Sequence, residues 1–157
     1  MKFVTKLFGE VDIDENKMLT FDEGIIGYPH MQHFFMIHDA EQENRSEISW
    51  MQSVEEPAFA LPVINPLVIE PTYNPSVEDE LLNQLGEIGE DGFLVLSTLR
   101  VPPDITQMTI NLRAPLIINP QTRKCRQIIV EDERYNVRFP AYDVLKKRGE
   151  KEEEKDV

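Results

Sequence analysis

Short runs of alternating apolar and polar residues, broken by proline and other turn formers, dominate this chain. Val11 and Ile13 alternate with Glu10, Asp12 and Asp14, so this run should show one face to water. The turn Asp14-Glu15-Asn16-Lys17 then leads into Met18 to Phe21, which predicts a hairpin. Further strands are predicted at Phe34 to His38, Ile48 to Val54, Phe59 to Ile64, Leu67 to Ile69, Phe93 to Val101, Met108 to Leu112, Leu116 to Asn119 and Gln127 to Val130. Many short strands cut by turn signals predict an all-β, mainly antiparallel, small barrel-like single domain with one or two short helices.

Proline placement refines this pattern. The chain has 11 prolines and 7 glycines, and Pro57, Pro66, Pro71, Pro102, Pro103, Pro115 and Pro120 fall at predicted strand ends. Pro62 lies inside a predicted run, so that strand should be an edge or carry a bulge. One helix is predicted after Ser76, whose hydroxyl can cap the first turn while Glu78, Asp79 and Glu80 sit favourably against the helix dipole. Val77, Leu81, Leu82 and Leu85 fall on one face of it and Gly86 can close it. A second helical turn is predicted around Asp104 to Gln107. The domain is expected to span residues 1–145, and the charged stretch 146–157, with Val157 its one apolar residue, to be disordered or a frayed helix.

With 157 residues, 41% of them hydrophobic, the chain can bury one core of ordinary size. No window approaches the roughly 18 uninterrupted apolar residues of a membrane span, and Lys2 and Lys6 interrupt the N-terminus before a signal-peptide core could form. A cytoplasmic location without membrane contact is therefore expected. Cys125, the single cysteine, excludes an intramolecular disulfide and any multi-cysteine zinc site.

The net charge of -13 is unevenly distributed. Residues 1–104 carry 20 acidic against 5 basic side chains, residues 105–145 carry 4 against 6, and the remaining segment is balanced. An acidic body repels phosphate backbones and attracts cationic proteins, which disfavours direct nucleic-acid binding and favours a basic partner. Solubility alone also accounts for an acidic composition.

Candidates for chemistry are few. His30 and His33 have a spacing that suits two ligands on a helical turn, and Asp39 with its acidic neighbours could complete a metal site, but Pro29 and the surrounding aromatic residues point instead to a loop entering a strand. The carboxylate pairs Asp22-Glu23 and Glu55-Glu56 suit acid–base work, yet an acidic surface produces such neighbours by chance. Cys125 stands among Arg123, Lys124 and Arg126, a setting that activates a thiol if it is exposed and otherwise describes a strand cysteine beside turn cations. No phosphate-binding glycine loop or nucleophile elbow occurs. The expectation is a binding protein rather than an enzyme, with no cofactor; the alternatives are a metal-dependent enzyme using His30, His33 and His38, and a general acidic chaperone.

An exposed binding surface is the stronger prospect. The run Asn65-Pro66-Leu67-Val68-Ile69-Glu70-Pro71 is apolar and fenced by prolines, as a short edge strand would be. Asn65, Leu67, Ile69 and Glu70, with Met108, Ile110 and Asn111, are the residues expected to face a partner.

Several segments together resemble one family. Phe21-Asp22-Glu23-Gly24-Ile25-Ile26-Gly27-Tyr28 is similar to the Phe-Pro-Glu-Gly-Ile-Pro-Gly-Phe segment of the flagellar assembly factor FliW family. Gln52-Ser53-Val54 and Phe59-Ala60-Leu61-Pro62-Val63-Ile64-Asn65-Pro66 resemble its central strands. Thr109-Ile110-Asn111-Leu112-Arg113-Ala114-Pro115-Leu116-Ile117-Ile118-Asn119 resembles its longest shared stretch, followed by Arg123-Lys124 and Gln127-Ile128-Ile129. Tyr135, Arg138 and Pro140 resemble its closing segment. Asp22 and Ile26 stand where prolines are common, and Cys125 where a small residue, often glycine, is usual. The resemblance implies a β-barrel-like protein, monomeric when free. It implies two alternative partners: CsrA, a basic dimeric RNA-binding repressor antagonised away from its RNA groove, and flagellin, which takes the antagonist away. Flagellin translation would thereby be tied to export.

Overall fold

The computed structural model describes residues 2–37, 47–90 and 92–155. A hairpin of β1 (Lys2–Thr5) and β2 (Gly9–Asp12) opens the chain and pairs only within itself, Phe3 opposite Val11. The hairpin expected between Val11–Ile13 and Met18–Phe21 does not form. Asp14 instead caps a 3-10 turn at Glu15–Lys17, its carboxylate accepting from the Asn16 N–H at 3.0 Å, and the chain leaves at a new angle. A polar side chain that bonds its own backbone two residues on turns the chain without pairing its flanks.

Seven strands close a barrel in the order β3 (Leu19–Phe21), β4 (His33–Ile37), β5 (Ser49–Ser53), β6 (Ala60–Ile64), β7 (Leu94–Arg100), β9 (Leu116–Ile118) and β10 (Lys124–Gln127), with β10 returning to β3. The β3–β10 contact is parallel and the other pairings of the wall are antiparallel. Along one side of β7, Leu94–Leu96 pair with β9 while Leu99 and Arg100 pair with β8 (Thr109–Ile110), which in turn pairs with β11 (Phe139–Pro140). Closure leaves unpaired only the strand ends that run past a neighbour, such as Ala60–Pro62 of β6.

Period-two alternation explains the interior. Leu19 and Phe21, Phe34 and Met36, Leu61 and Val63, and Leu116 and Ile118 point into one cluster with Met51, Leu96 and Cys125. A second core on the outside joins Ile64, Ile69, Leu99, Ile110 and Leu112 to Tyr73 and Tyr135. These two rings meet edge-on at 4.6 Å, and the Tyr73 O–H donates to the Leu112 carbonyl at 2.6 Å. A third packs Leu85 and Val77 on Ile117 and Ile128. Pro62 is accommodated because β7 reaches only Val63 and Ile64; at Pro62 the strand has β5 alone for a neighbour.

Two helices depart from expectation, and a third is the helical alternative expected for the C-terminal stretch. Leu67–Ile69 is not a strand: α1 (Pro66–Ile69) starts there because the Asn65 side chain accepts from the Leu67 N–H at 3.0 Å and proline suits the first helical position. The helix placed after Ser76 begins later, as α2 (Asp79–Asn83), with Glu78 rather than Ser76 at the cap position and no side-chain cap bond. The stretch from residue 146 continues α3 (Tyr142–Lys155), so the boundary drawn at 145 falls inside a helix; Val144 and Leu145 pack on the second core and Arg148 is ion-paired with Glu47. The turn Ile105–Gln107 appears as expected, capped by Asp104.

Arg123, at φ +61°, makes the left-handed turn that starts β10 at Lys124, earlier than the predicted Gln127. The loop Gly24–Tyr28, where the sequence has Ile26 in place of a stiffening proline, is held by other means. Gly24 takes φ +70°, and any Cβ there would lie 2.5 Å from the Pro29 carbonyl oxygen. Ile25 and Tyr28 exchange main-chain bonds, and the Ile26 N–H donates to Gln127 Oε1 at 2.8 Å.

Candidate partner-binding surface

Several of the residues singled out for chemistry, Glu55 and Glu56 among them, tie the main chain together. His30 is exposed, and His33 Nδ1 lies 3.1 Å from Glu55 Oε1. That same oxygen accepts the N–H groups of Gln32 and His33, at 2.7 and 2.6 Å, and so ties the entry of β4 to the end of β5. His38 and Asp39 lie outside the described residues. Among the described residues no three His, Cys, Asp or Glu side chains are grouped to hold a metal ion. Glu56 Oε1 accepts from the Ala58 N–H at 3.1 Å, and Glu23 meets Arg126 at 3.2 Å.

Cys125 points into the barrel, where burial pushes its thiol up to about 12. The neighbouring cations Lys124 and Arg126 lie on the opposite side of the strand, by alternation, and do not activate it. Cys125 in the native protein is therefore expected to react with a thiol reagent such as DTNB at pH 8 only after denaturant is added. Rapid stoichiometric labelling without denaturant would show that the barrel opens readily.

The two segments expected to face a partner do converge, but through the core. Ile69 and Ile110 are 4% and 0% exposed and belong to the same apolar cluster, so both leave the candidate surface. Ile69 turns inward because α1 is helical; Ile110 because β8 is clamped between β7 and β11. Leu67, on the outer side of α1, is 49% exposed. Asn65 is spent on its cap, and Asn111 Oδ1 accepts from the N–H groups of Arg113 and Ala114 at 3.0 Å each. Glu70 accepts from the Thr72 hydroxyl at 2.6 Å and its N–H at 3.1 Å, which holds its carboxyl below the ordinary range. Met108 is half-buried.

A groove that sequence reasoning missed lies elsewhere. Ser76, Val77, Glu78 and Leu81 on one side and residues 128–133 on the other line an open groove of about 810 Å³. Val77, Leu81, Ile128 and Val130 supply its apolar lining, and Glu78, Glu131, Asp132 and Glu133 its acidic margin. Asp132 is committed to Arg134 at 2.6 Å, which holds its carboxyl down to about 2. Glu78, Glu131 and Glu133 are exposed and make no ion pair among the described residues. Glu78 and the triplet Glu131-Asp132-Glu133 are visible in the sequence, but only the fold sets them around one groove.

The closed barrel with its short helices has counterparts among known proteins. A family model described as "FliW protein" matches residues 2–141. The chain belongs to the FliW family. It is 46% identical over 153 residues to the flagellar assembly factor FliW of Lachnoclostridium phytofermentans, covering 98% of each chain. It is 48% identical over 148 residues to that of Lachnospira eligens, covering 94% of this chain and 98% of the relative. A crystal structure of the flagellar assembly factor FliW superposes with a TM-score of 0.81 at 28% identity, over 90% of this chain and 97% of that one. The FliW family match spans the barrel, both outer cores and the groove, and ends at the residue before α3.

Proposed function

We propose that this FliW-family chain acts in flagellar assembly as a cytoplasmic binding protein that antagonises CsrA and is itself sequestered by flagellin. It works without catalysis and without a cofactor. The observation that carries the reading is the FliW match over residues 2–141, together with relatives aligned over nearly their whole length. The acidic surface adds a physical route. An anionic body docked on a basic RNA-binding protein adds repulsion against approaching phosphates, so RNA affinity falls without occupation of the RNA groove. No described helix is long and apolar enough to cross a membrane.

A switch of this kind demands exclusivity. The chain exposes 10155 Å², and a standard interface takes about 800 Å² on each partner. Two separate sites would fit, so exclusivity requires overlap, or coupling in which each partner lowers the other's affinity by the same factor. The deciding experiment is titration of flagellin into a preformed complex with CsrA, followed by size-exclusion chromatography. Flagellin should displace CsrA. A stable complex of all three proteins, with neither affinity reduced, would end the partner-switch reading.

Salt offers an independent check on the electrostatic part. Affinity for CsrA is expected to fall as ionic strength rises from about 50 mM to about 500 mM, because exposed charges are screened beyond a Debye length of roughly 10 Å at 0.1 M. An affinity constant across that range would leave only short-range contact to explain binding.

A further inference from the structure

The groove between residues 76–81 and 128–133 has a feature that apolar lining alone does not supply: an open main-chain edge. Beyond Gln127 the chain stays beside the segment leading into β9, with the Ile128 N–H donating to the Pro115 carbonyl at 3.1 Å and the Val130 N–H to the Arg113 carbonyl at 2.7 Å. Successive residues of an extended chain aim their N–H and C=O groups to opposite sides. Those of Ile129 therefore face away from residues 113–115, and among the described residues they accept and donate no hydrogen bond. On that side β3 has already ended its pairing, at Phe21 opposite Cys125. The Ile129 side chain is 62% exposed.

We infer that this groove receives an extended, cationic segment of a partner protein by strand addition at Ile129, with alternate apolar side chains seated on Val77, Leu81 and Ile128. An exposed edge recruits a strand through main-chain bonds and reads it through every second side chain. Charge selects the occupant. Glu78, Glu131 and Glu133 lie around the opening without a counter-ion among the described residues, so lysine or arginine flanks gain attraction there while an acidic strand is repelled. A nucleic-acid strand is repelled for the same reason. The inference rests on the reading that this chain binds a basic protein, and assigns the surface that does so. It also separates that surface from the exposed Leu67 side chain on α1.

The probe is a dye-labelled synthetic decapeptide of alternating valine and lysine, followed by fluorescence anisotropy, with CsrA measured in parallel. Wild-type protein should bind the peptide, and the double variant Glu131→Lys/Glu133→Lys should weaken both peptide and CsrA by about tenfold or more. Neither glutamate takes part in the core, so circular dichroism of the variant should match wild type. Main-chain N-methylation of the peptide at alternate positions should abolish binding, and the Ile129 amide should become protected from hydrogen exchange when the unmodified peptide is added. Leu67→Asp should leave peptide binding unchanged. Peptide affinity that survives the double variant, or an Ile129 amide that exchanges equally fast with peptide bound, overturns the inference. If CsrA binds wild type and the double variant equally well, the groove assignment fails while the function stands. If CsrA fails to bind wild type, the function itself fails, and the peptide arm still decides whether the groove takes a strand.

Discussion

Replacing Phe34 by alanine is expected to cost about 3–5 kcal/mol of stability, because removing a buried aromatic ring loses its transfer free energy and leaves a cavity the neighbours fill only in part. Phe34 is fully buried inside the barrel; its ring meets Phe21 edge-on at 5.5 Å and Phe59 at 6.3 Å. It also stands opposite both Leu19 and Ser53, so three adjacent strands lean on one side chain. For a domain of this size the loss corresponds to a melting temperature lower by roughly 10 °C. Leu67→Ala, on the exposed side of α1, should stay within about 0.5 kcal/mol. Urea unfolding followed by circular dichroism compares the two. Equal shifts would mean that the barrel interior carries no more of the stability than the surface does.

Asn119→Ala is the second change with a large expected effect, about 2–4 kcal/mol, since it strands several buried polar groups at once and each costs about 1–3 kcal/mol when unsatisfied. The fully buried Asn119 amide donates to the carbonyls of Leu85 and Glu87 at 3.0 and 2.9 Å and accepts from the N–H of Gln121 at 2.9 Å. The Thr122 hydroxyl adds a bond to the same Leu85 carbonyl at 2.6 Å. Together they pin the chain just after α2 to the turn between β9 and β10, and thereby fix one wall of the acidic groove. Hydrogen exchange should rise first in residues 79–88 of the variant, ahead of the barrel strands. Asn119→Asp should be no rescue, because a carboxylate cannot donate to the two carbonyls. If exchange in residues 79–88 is unchanged while the protein as a whole melts earlier, Asn119 acts through the barrel and not through α2.

The surface was less legible than the core. Leu67 and Ile69 read as one alternating apolar pair, yet they part company because Asn65 and Pro66 start a helical turn, which sends Leu67 outward and Ile69 inward. The signal was present in the Asn-Pro pair, a cap followed by a residue suited to the first helical position. Ile110 followed the opposite course. Its strand looked free to meet a partner, but β11, a two-residue strand at Phe139–Pro140, covers it. So short a pairing leaves no periodic trace. The groove had no trace either: Ile129 reads as the middle of three apolar residues, and its free main-chain edge follows from where β3 stops pairing.

The sequence by itself determined the class of fold and most of the strands, because period-two alternation is a local property set by the geometry of an extended chain. It also determined the acidity of the body, and through several segments in the right order it carried the resemblance to the FliW family. Only the tertiary structure decided that β2 folds back on β1 rather than forward onto β3, that β10 lies parallel to β3 and closes the wall, and that Glu78 and residues 131–133 flank one groove. These are contacts between residues far apart in the chain. Their energies come from burial and hydrogen bonding that exist only once the closure entropy of the intervening loops has been overcome, so no local pattern encodes them.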